Sequence, residues 1–267
     1  RSAARVLSVT DAAGGSDDGR FGSLWPQHRQ LLRLVRNGGT LHVPTRAVAD
    51  QIRSDLKVGG DQVAVIPIGI TPPVPADEDQ ASAVIDVGRP FVLAEIDTWS
   101  VHEQLDAIAA FEELASRQAE IHLVLLGAAN DSGGEVAMRL AASGWSSRII
   151  RAASVGERGR RALLGRARVV LHLAERDGLG VPVLDAMAAG TPVVAVRSAP
   201  MRELAEGAVL MAEAGDRDAI AVALNLAVTD EAARSVLVTA GRVRAADHSW
   251  AEAAGSLIAL YRRLAAT

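Results

Sequence analysis

The chain contains no cysteine. That excludes disulfides, thiolate nucleophiles and cysteine-ligated metal together, and it suits a reducing cytoplasm. Aromatic residues make up only 3% of the 267 positions, and Lys57 is the single lysine, so arginine carries the basic charge. With 28 Lys plus Arg against 32 Asp plus Glu, the formal charge is −4. A nucleic-acid binder usually shows a basic footprint, and this chain has none overall. No apolar run approaches the roughly 20 residues of a membrane-spanning helix. There is no Gly-x-Gly-x-x-Gly and no P-loop, so nicotinamide and ATPase chemistry lose support. His28, His42, His122 and His248 show no metal-ligand spacing. The opening "RSAARVLSV" has neither an initiator Met nor a signal-peptide core, and reads as the start of a fragment or trimmed chain.

What is present is a regular alternation. From residue 91, "FVLAEI" is short and apolar, and "HEQLDAIAAFEELASR" repeats Leu105, Ile108, Phe111 and Leu114 at helical spacing. "IHLVLLG", "RII", "VVLHL", "PVVAV" and "AVLM" read as further strands, each separated by a helical stretch. Residues 215–265 read as helical throughout. Strands that are unbroken apolar runs are buried on both faces, which implies a parallel, doubly wound, Rossmann-like sheet covered by helices. The first seventy residues alternate in the same way but supply only about three strands, too few for a full domain. The expected organisation is a partial α/β domain over 1–70, a Pro- and acid-rich linker over 71–88 containing "TPPVPADEDQAS", and a larger domain over 89–267. "GGSDDGRFGS" (14–23) reads as a mobile loop.

Chemistry is concentrated in "ERDGLGVPVLDAMAAGTPVV", Glu175 to Val194. A strand delivers the chain to the carboxyl edge of the sheet, where open α/β sheets bind ligands. Gly178 and Gly180 allow a tight turn and close approach of a ligand. Pro182 suits a helix's first turn and Gly190 its C-cap, so a helix is expected over about 182–189. Its N-terminal amides and dipole favour an anion, most simply a phosphate. Asp177 sits at the mouth of the turn and Asp185 one turn into the helix, where a carboxylate can accept hydrogen bonds from the paired hydroxyls of a ribose or sugar. The plain alternative is that Asp before Gly is ordinary turn chemistry and an Asp in a first turn is stabilising on dipole grounds alone.

"DGLGVPVLDAMAAGTPVVA" resembles the signature of the retaining GT-B glycosyltransferases of family four, glycosyl transferases group 1. Other stretches resemble that family in order: "VPTRAVADQI", "VAVIPIGI", "HEQLDAIAAFEEL", "LVLLGAA", "MRELAEGAVLM" and "HSWAEAAGSLIALYRRL". Together they cover about residue 40 to the end. The resemblance implies a GT-B donor-binding domain preceded by the tail of an acceptor-side domain. It implies transfer of a hexose from a nucleotide-diphosphate sugar, with retention, to an acceptor the sequence does not name. It implies no metal and no cofactor beyond the donor substrate.

Residue by residue, the resemblance assigns Asp177 the catalytic place facing the donor sugar and Asp185 the place that holds the nucleotide ribose. Each is an Asp where the family has Glu, so its reach is shorter by roughly 1.3–1.5 Å. Gly178, Leu179 and Gly180 would present amides to sugar and phosphate, and Glu203 matches a later donor-side glutamate. The two basic positions that grip the diphosphate in the family hold Glu95 and His102 here, and His102 is carried over as a donor-binding residue. Each charge-assisted hydrogen bond lost is worth about 1.5–3 kcal/mol. The acceptor-side "HD" is replaced by Thr10 and Asp11. These departures keep a second reading open, in which the chain is a catalytically impaired module serving as a scaffold or weak nucleotide-sugar binder.

Arg148, Arg151, Arg158, Arg160, Arg161, Arg166 and Arg168 form a basic stretch. It suits either a solvated helix face, the commoner case, or peripheral contact with an acidic membrane, which would place a cytoplasmic protein at the membrane's inner face. His172, on the strand before the signature, reads equally as a ligand contact or a satisfied core histidine.

Overall fold

The structure, a computed structural model, describes residues 6–9, 25–71, 88–128 and 134–266. Thr10, Asp11, the 14–23 loop and nearly all of the 71–88 linker lie outside the described residues.

Two parallel sheets form. The first contains β1 (Val6–Ser8), β2 (Thr40–Val43) and β3 (Val63–Val65) in the order β1-β2-β3, with Leu41 facing Val63 across the ladder. Helices α1 (Trp25–Arg36) and α2 (Arg46–Leu56) connect its strands. Leu31, Val35, Leu41, Val43, Val48 and Ile52 bury its small core.

The second sheet contains β4 (Phe91–Glu95), β5 (His122–Leu126), β6 (Ile149–Ala152), β7 (Val169–His172), β8 (Val193–Val196) and β9 (Leu210–Ala212). Its order is β6-β5-β4-β7-β8-β9, all parallel. Chain order therefore reverses between β4 and β7, and such a reversal opens a crevice beyond the carboxyl ends of those two strands. Phe91, Val92, Leu93 and Ala94 are fully buried, as their unbroken apolar run requires.

The connecting helices are α3 (Val101–Arg117), α4 (Glu135–Ala142), α5 (Gly156–Arg166), α6 (Val181–Ala189) and α7 (Ala199–Ala205). Helix α3 begins with a capping box: Ser100 Oγ accepts from the Glu103 amide at 3.2 Å, and Glu103 Oε2 accepts from the Ser100 amide at 2.6 Å. Ala107, Ile108, Phe111, Leu114 and Ala115 form its buried stripe. The expected basic stretch begins by closing this helix, because Arg148 donates to the carbonyls of Ala115, Gln118 and Ala119 and stacks over Trp145.

The tail is helical, in three pieces: α8 (Arg217–Thr229), α9 (Glu231–Ala246) and α10 (Trp250–Ala265). Asp216, Asp230 and Ser249 cap them. Helix α8 packs on α3, and α9 packs on α6. At the start of α10 the tail meets the segment leaving the first sheet. The Ile70 amide donates to the His248 carbonyl at 3.1 Å, and His248 Nδ1 lies 3.1 Å from the Ile68 carbonyl oxygen. Gly69 lies so close to Trp250 that a Cβ there would stand 2.4 Å from the Trp250 backbone nitrogen.

Candidate functional site

The crevice at the β4/β7 reversal gathers most of the residues singled out above. From the end of β7 the chain runs through residues 173–180 into α6. The loop is tied at one end by Glu103, whose Oε1 accepts from the Glu175 amide at 2.9 Å. At the other end Gly180 takes a left-handed φ of 62°, which favours glycine, and a Cβ there would stand 2.1 Å from Leu204 Cδ2. Helix α6 starts one residue earlier than the sequence suggested, keeps Pro182 in its first turn and ends on Gly190 at φ 78°.

Asp177 organises that loop. Its Oδ1 accepts from the amides of Leu179, at 3.0 Å, and Gly180, at 2.8 Å. The sequence expectation offered those two amides to a sugar-phosphate; here the carboxylate of Asp177 satisfies them, as an Asx-type turn does. Gly178 is buried within the turn. Asp177 Oδ2 lies 3.0 Å from His172 Nε2, close but without the geometry of a hydrogen bond. His172 is buried, with Trp99 standing edge-on to its ring at 6.2 Å. Burial by itself would raise the Asp177 carboxyl. His172 and the two amides outweigh that and hold it below the usual carboxylate range.

A bridge of three charges joins the end of β4 to α5 and α6. Arg160, from α5, donates through Nε to Glu95 Oε2 at 2.7 Å and through Nη1 to Asp185 Oδ2 at 2.8 Å. Side-chain exposure is 18% for Arg160, 14% for Glu95 and 19% for Asp185, so the bridge is largely withdrawn from water. Glu95 Oε1 is buried without a partner. Burial pushes Glu95 above the usual carboxylate range, and the nearby charge of Asp185 adds to this against the opposing pull of Arg160. Burial also works against the charge of Arg160, but its two acids more than offset it and the guanidinium is held firmly protonated.

The sequence grouped Arg160 with a basic stretch and missed its role. A signal was available: Arg160 precedes the buried Leu163 and Leu164 by three and four residues, so it shares their inward face. The rest of the stretch is not one surface. Arg161 pairs with Glu157, and Arg168 pairs with Glu231 and donates to the Val228 carbonyl, while Arg151 and Arg158 are exposed.

Two expected donor-binding residues have other engagements. His102 is 67% exposed and its Nε2 lies 3.3 Å from Asp106, whose second oxygen accepts from Arg217 at 2.6 Å. Glu203, on α7, accepts from the amides of Arg46 and Ala47 at 2.8 Å each. It therefore caps α2 and ties the first sheet to the second, because a carboxylate is favoured at a helix N-terminus. Among the described residues no group of His, Asp and Glu is arranged to hold a metal, and no helix is long and apolar enough to cross a membrane.

Comparison with known proteins agrees with this architecture. A family model described as glycosyl transferases group 1 matches residues 92–230. The chain is 26% identical over 238 residues to the MMP alpha-(1->4)-mannosyltransferase of Mycolicibacterium hassiacum, covering 86% of this chain and 56% of that protein. It is 29% identical over 102 residues to the O-antigen chain mannosyltransferase B of Escherichia coli, covering 38% of this chain and 27% of that protein. It thus spans little more than half of the first relative and about a quarter of the second. Among solved structures it superposes on Anabaena Alr3699/HepE, in complex with UDP and glucose, with a TM-score of 0.80 at 16% identity, covering 98% of this chain and 71% of that one. A glycosyltransferase from Rickettsia africae gives a TM-score of 0.78 at 12% identity, with coverage of 97% and 70%. These likenesses show the fold, a Rossmann-like GT-B arrangement. The family model spans just over half of the chain, and the chain belongs to the glycosyl transferases group 1 family.

Proposed function

We propose that the crevice between β4 and β7 binds a nucleotide-diphosphate sugar and that the protein transfers its hexose to an acceptor with retention of configuration, as in the family-four enzymes. The observation that carries this reading is the placement of Asp177 and Asp185 on one loop–helix unit at the point where strand order reverses. Asp185 accepts from the ribose hydroxyls. Asp177, kept ionised by its surroundings, faces the donor sugar and favours positive charge developing at the anomeric carbon. Gly178, Leu179 and Gly180 line the turn against sugar and phosphate, and the start of α6 adds its dipole to neutralising the leaving diphosphate. His102 and Glu203 act at the margin, by fixing α3 and α2. The reaction takes its neutralising groups from the chain rather than from a metal. The absence of cysteine favours a cytoplasmic setting, and the exposed Arg151 and Arg158 suit an acidic membrane surface close to a lipid or glycan acceptor.

Two observations favour the second reading, a weak binder without transfer. Glu95 places an acid where a phosphate grip is expected, and the amides of Leu179 and Gly180 are already bonded to Asp177. Thermal titration separates bound from unbound first. UDP, GDP or ADP at 100 times its dissociation constant should add about 2.7 kcal/mol of stability. If none shifts the melting temperature at millimolar concentration, the donor-binding reading fails. Incubating the nucleotide that binds, as its α-mannose or α-glucose conjugate, and following release of the nucleoside diphosphate together with the anomeric proton of the sugar delivered to water, before mutarotation, then separates turnover from binding. An α product from an α donor is the expected result.

A further inference from the structure

We propose that Arg160 is the donor-contacting cation of this site, meeting the phosphate oxygens through Nη2 in place of the two basic groups the sequence lacks. This rests on the nucleotide-sugar reading and adds a residue to it. Nothing in the signature or its spacing points to α5 as a source of the cation.

The first ground is position. Glu95 ends β4, where the family resemblance expects an arginine. The Arg160 Nε lies 2.7 Å from the Glu95 carboxylate. The guanidinium carbon of an arginine stands two bonds, about 2.5 Å, farther along the side chain than a glutamate's carboxyl carbon. The Arg160 guanidinium therefore stands within the reach of an arginine at position 95, supplied from α5 instead of β4.

The second ground is the state of its three nitrogens. Nε is committed to Glu95 and Nη1 to Asp185. Nη2 makes no hydrogen bond to the described residues and is not among the buried unpartnered atoms. A guanidinium pinned at two corners presents its third at a fixed angle, beside the carboxylate that receives the ribose. That geometry matches a nucleotide, in which the phosphates leave the ribose within a few bonds.

The third ground is charge, and it sets the size of the effect. With Glu95 and Asp185 ionised the bridge carries one net negative charge, and Glu157, itself paired with Arg161, stands 3.8 Å from Nη1, so Arg160 offers a directed donor rather than a strong positive field. The phosphates should therefore add about tenfold to the affinity of a nucleoside, well below what two free cations would supply.

Calorimetric titration of the full chain tests this, with UDP, GDP and ADP each set against its own nucleoside. In Arg160→Gln the tightest diphosphate should weaken about tenfold while its nucleoside stays within about threefold, and Arg160→Lys should recover part of the loss. Arg160→Gln leaves Glu95 without its partner, so the double variant Glu95→Gln/Arg160→Gln is measured beside it and should show the same selective loss. Equal weakening of nucleoside and diphosphate would overturn the proposal, since Arg160 would then act only by holding Asp185. Unchanged diphosphate affinity in both variants would overturn it too, with the donor reading intact. Failure of the unsubstituted protein to bind any of the six ligands would remove the proposed function and this inference together.

Discussion

Replacing Asp177 by alanine is expected to reduce transfer by about two to three orders of magnitude, the usual consequence of removing one preorganised electrostatic group. Two separable effects contribute. The carboxylate holds the amides of Leu179 and Gly180, so its loss frees the loop that opens α6, at about 1 kcal/mol for a lost cap. It also supplies the charge beside His172, which on the proposed reading faces the donor sugar. Asp177→Asn keeps an oxygen for the two amides and removes only the charge. Asparagine should therefore restore most of the stability and little of the activity. The pH dependence follows in sign. Asp177 titrates below its ordinary 3.8 in the folded protein, so its stabilisation is present above that value and is lost as pH falls through the folded value. Denaturation curves collected across the acid limb should be shallower in pH for Asp177→Asn than for the unsubstituted chain. Alanine at 177 with more than a tenth of the original turnover would contradict the assigned role.

Gly69→Ala is expected to cost about 3 kcal/mol, the upper end of what overpacking produces. The added Cβ would meet the Trp250 backbone, its nitrogen at 2.4 Å and its Cα at 2.5 Å, and backbone cannot rotate away as a side-chain tip can. The strain falls where the first sheet's exit segment is bonded to the start of α10, so the Ile70–His248 hydrogen bond and the ordering of α10 should weaken together. Gly60→Ala is the control: nothing lies within 4 Å of its Cβ position and its backbone is not left-handed, so it should stay within about 0.5 kcal/mol. Urea unfolding of the two variants gives the comparison, and equal midpoints would contradict the tight crossing.

The fold was legible because its signals are local and repeated. Apolar runs such as Phe91–Ala94 leave only the buried parallel strand, and the spacing of Ile108, Phe111 and Leu114 leaves only a helix on that sheet. The turn and helix around Asp177 and Asp185 were legible for the same reason, since Pro182 and Gly190 mark their own positions. The engagements of the side chains were not. Glu203 caps a helix 156 residues away, and Arg160 reaches Glu95 across 65 residues. Charge pairs of that separation leave no periodicity in the sequence. Glu95 alone looks like a repulsive acid in a phosphate site; only the structure shows the arginine that answers it. Asp177 alone looks like a ligand contact; the structure shows it holding its own loop.

Hydrogen exchange of the backbone, with and without the tightest of UDP, GDP and ADP at saturation, tests the crevice most directly. The account predicts slower exchange confined to the end of β4, the 173–180 loop and the first turn of α6, with the first sheet unchanged. Protection elsewhere, with those three segments unaffected, would contradict it.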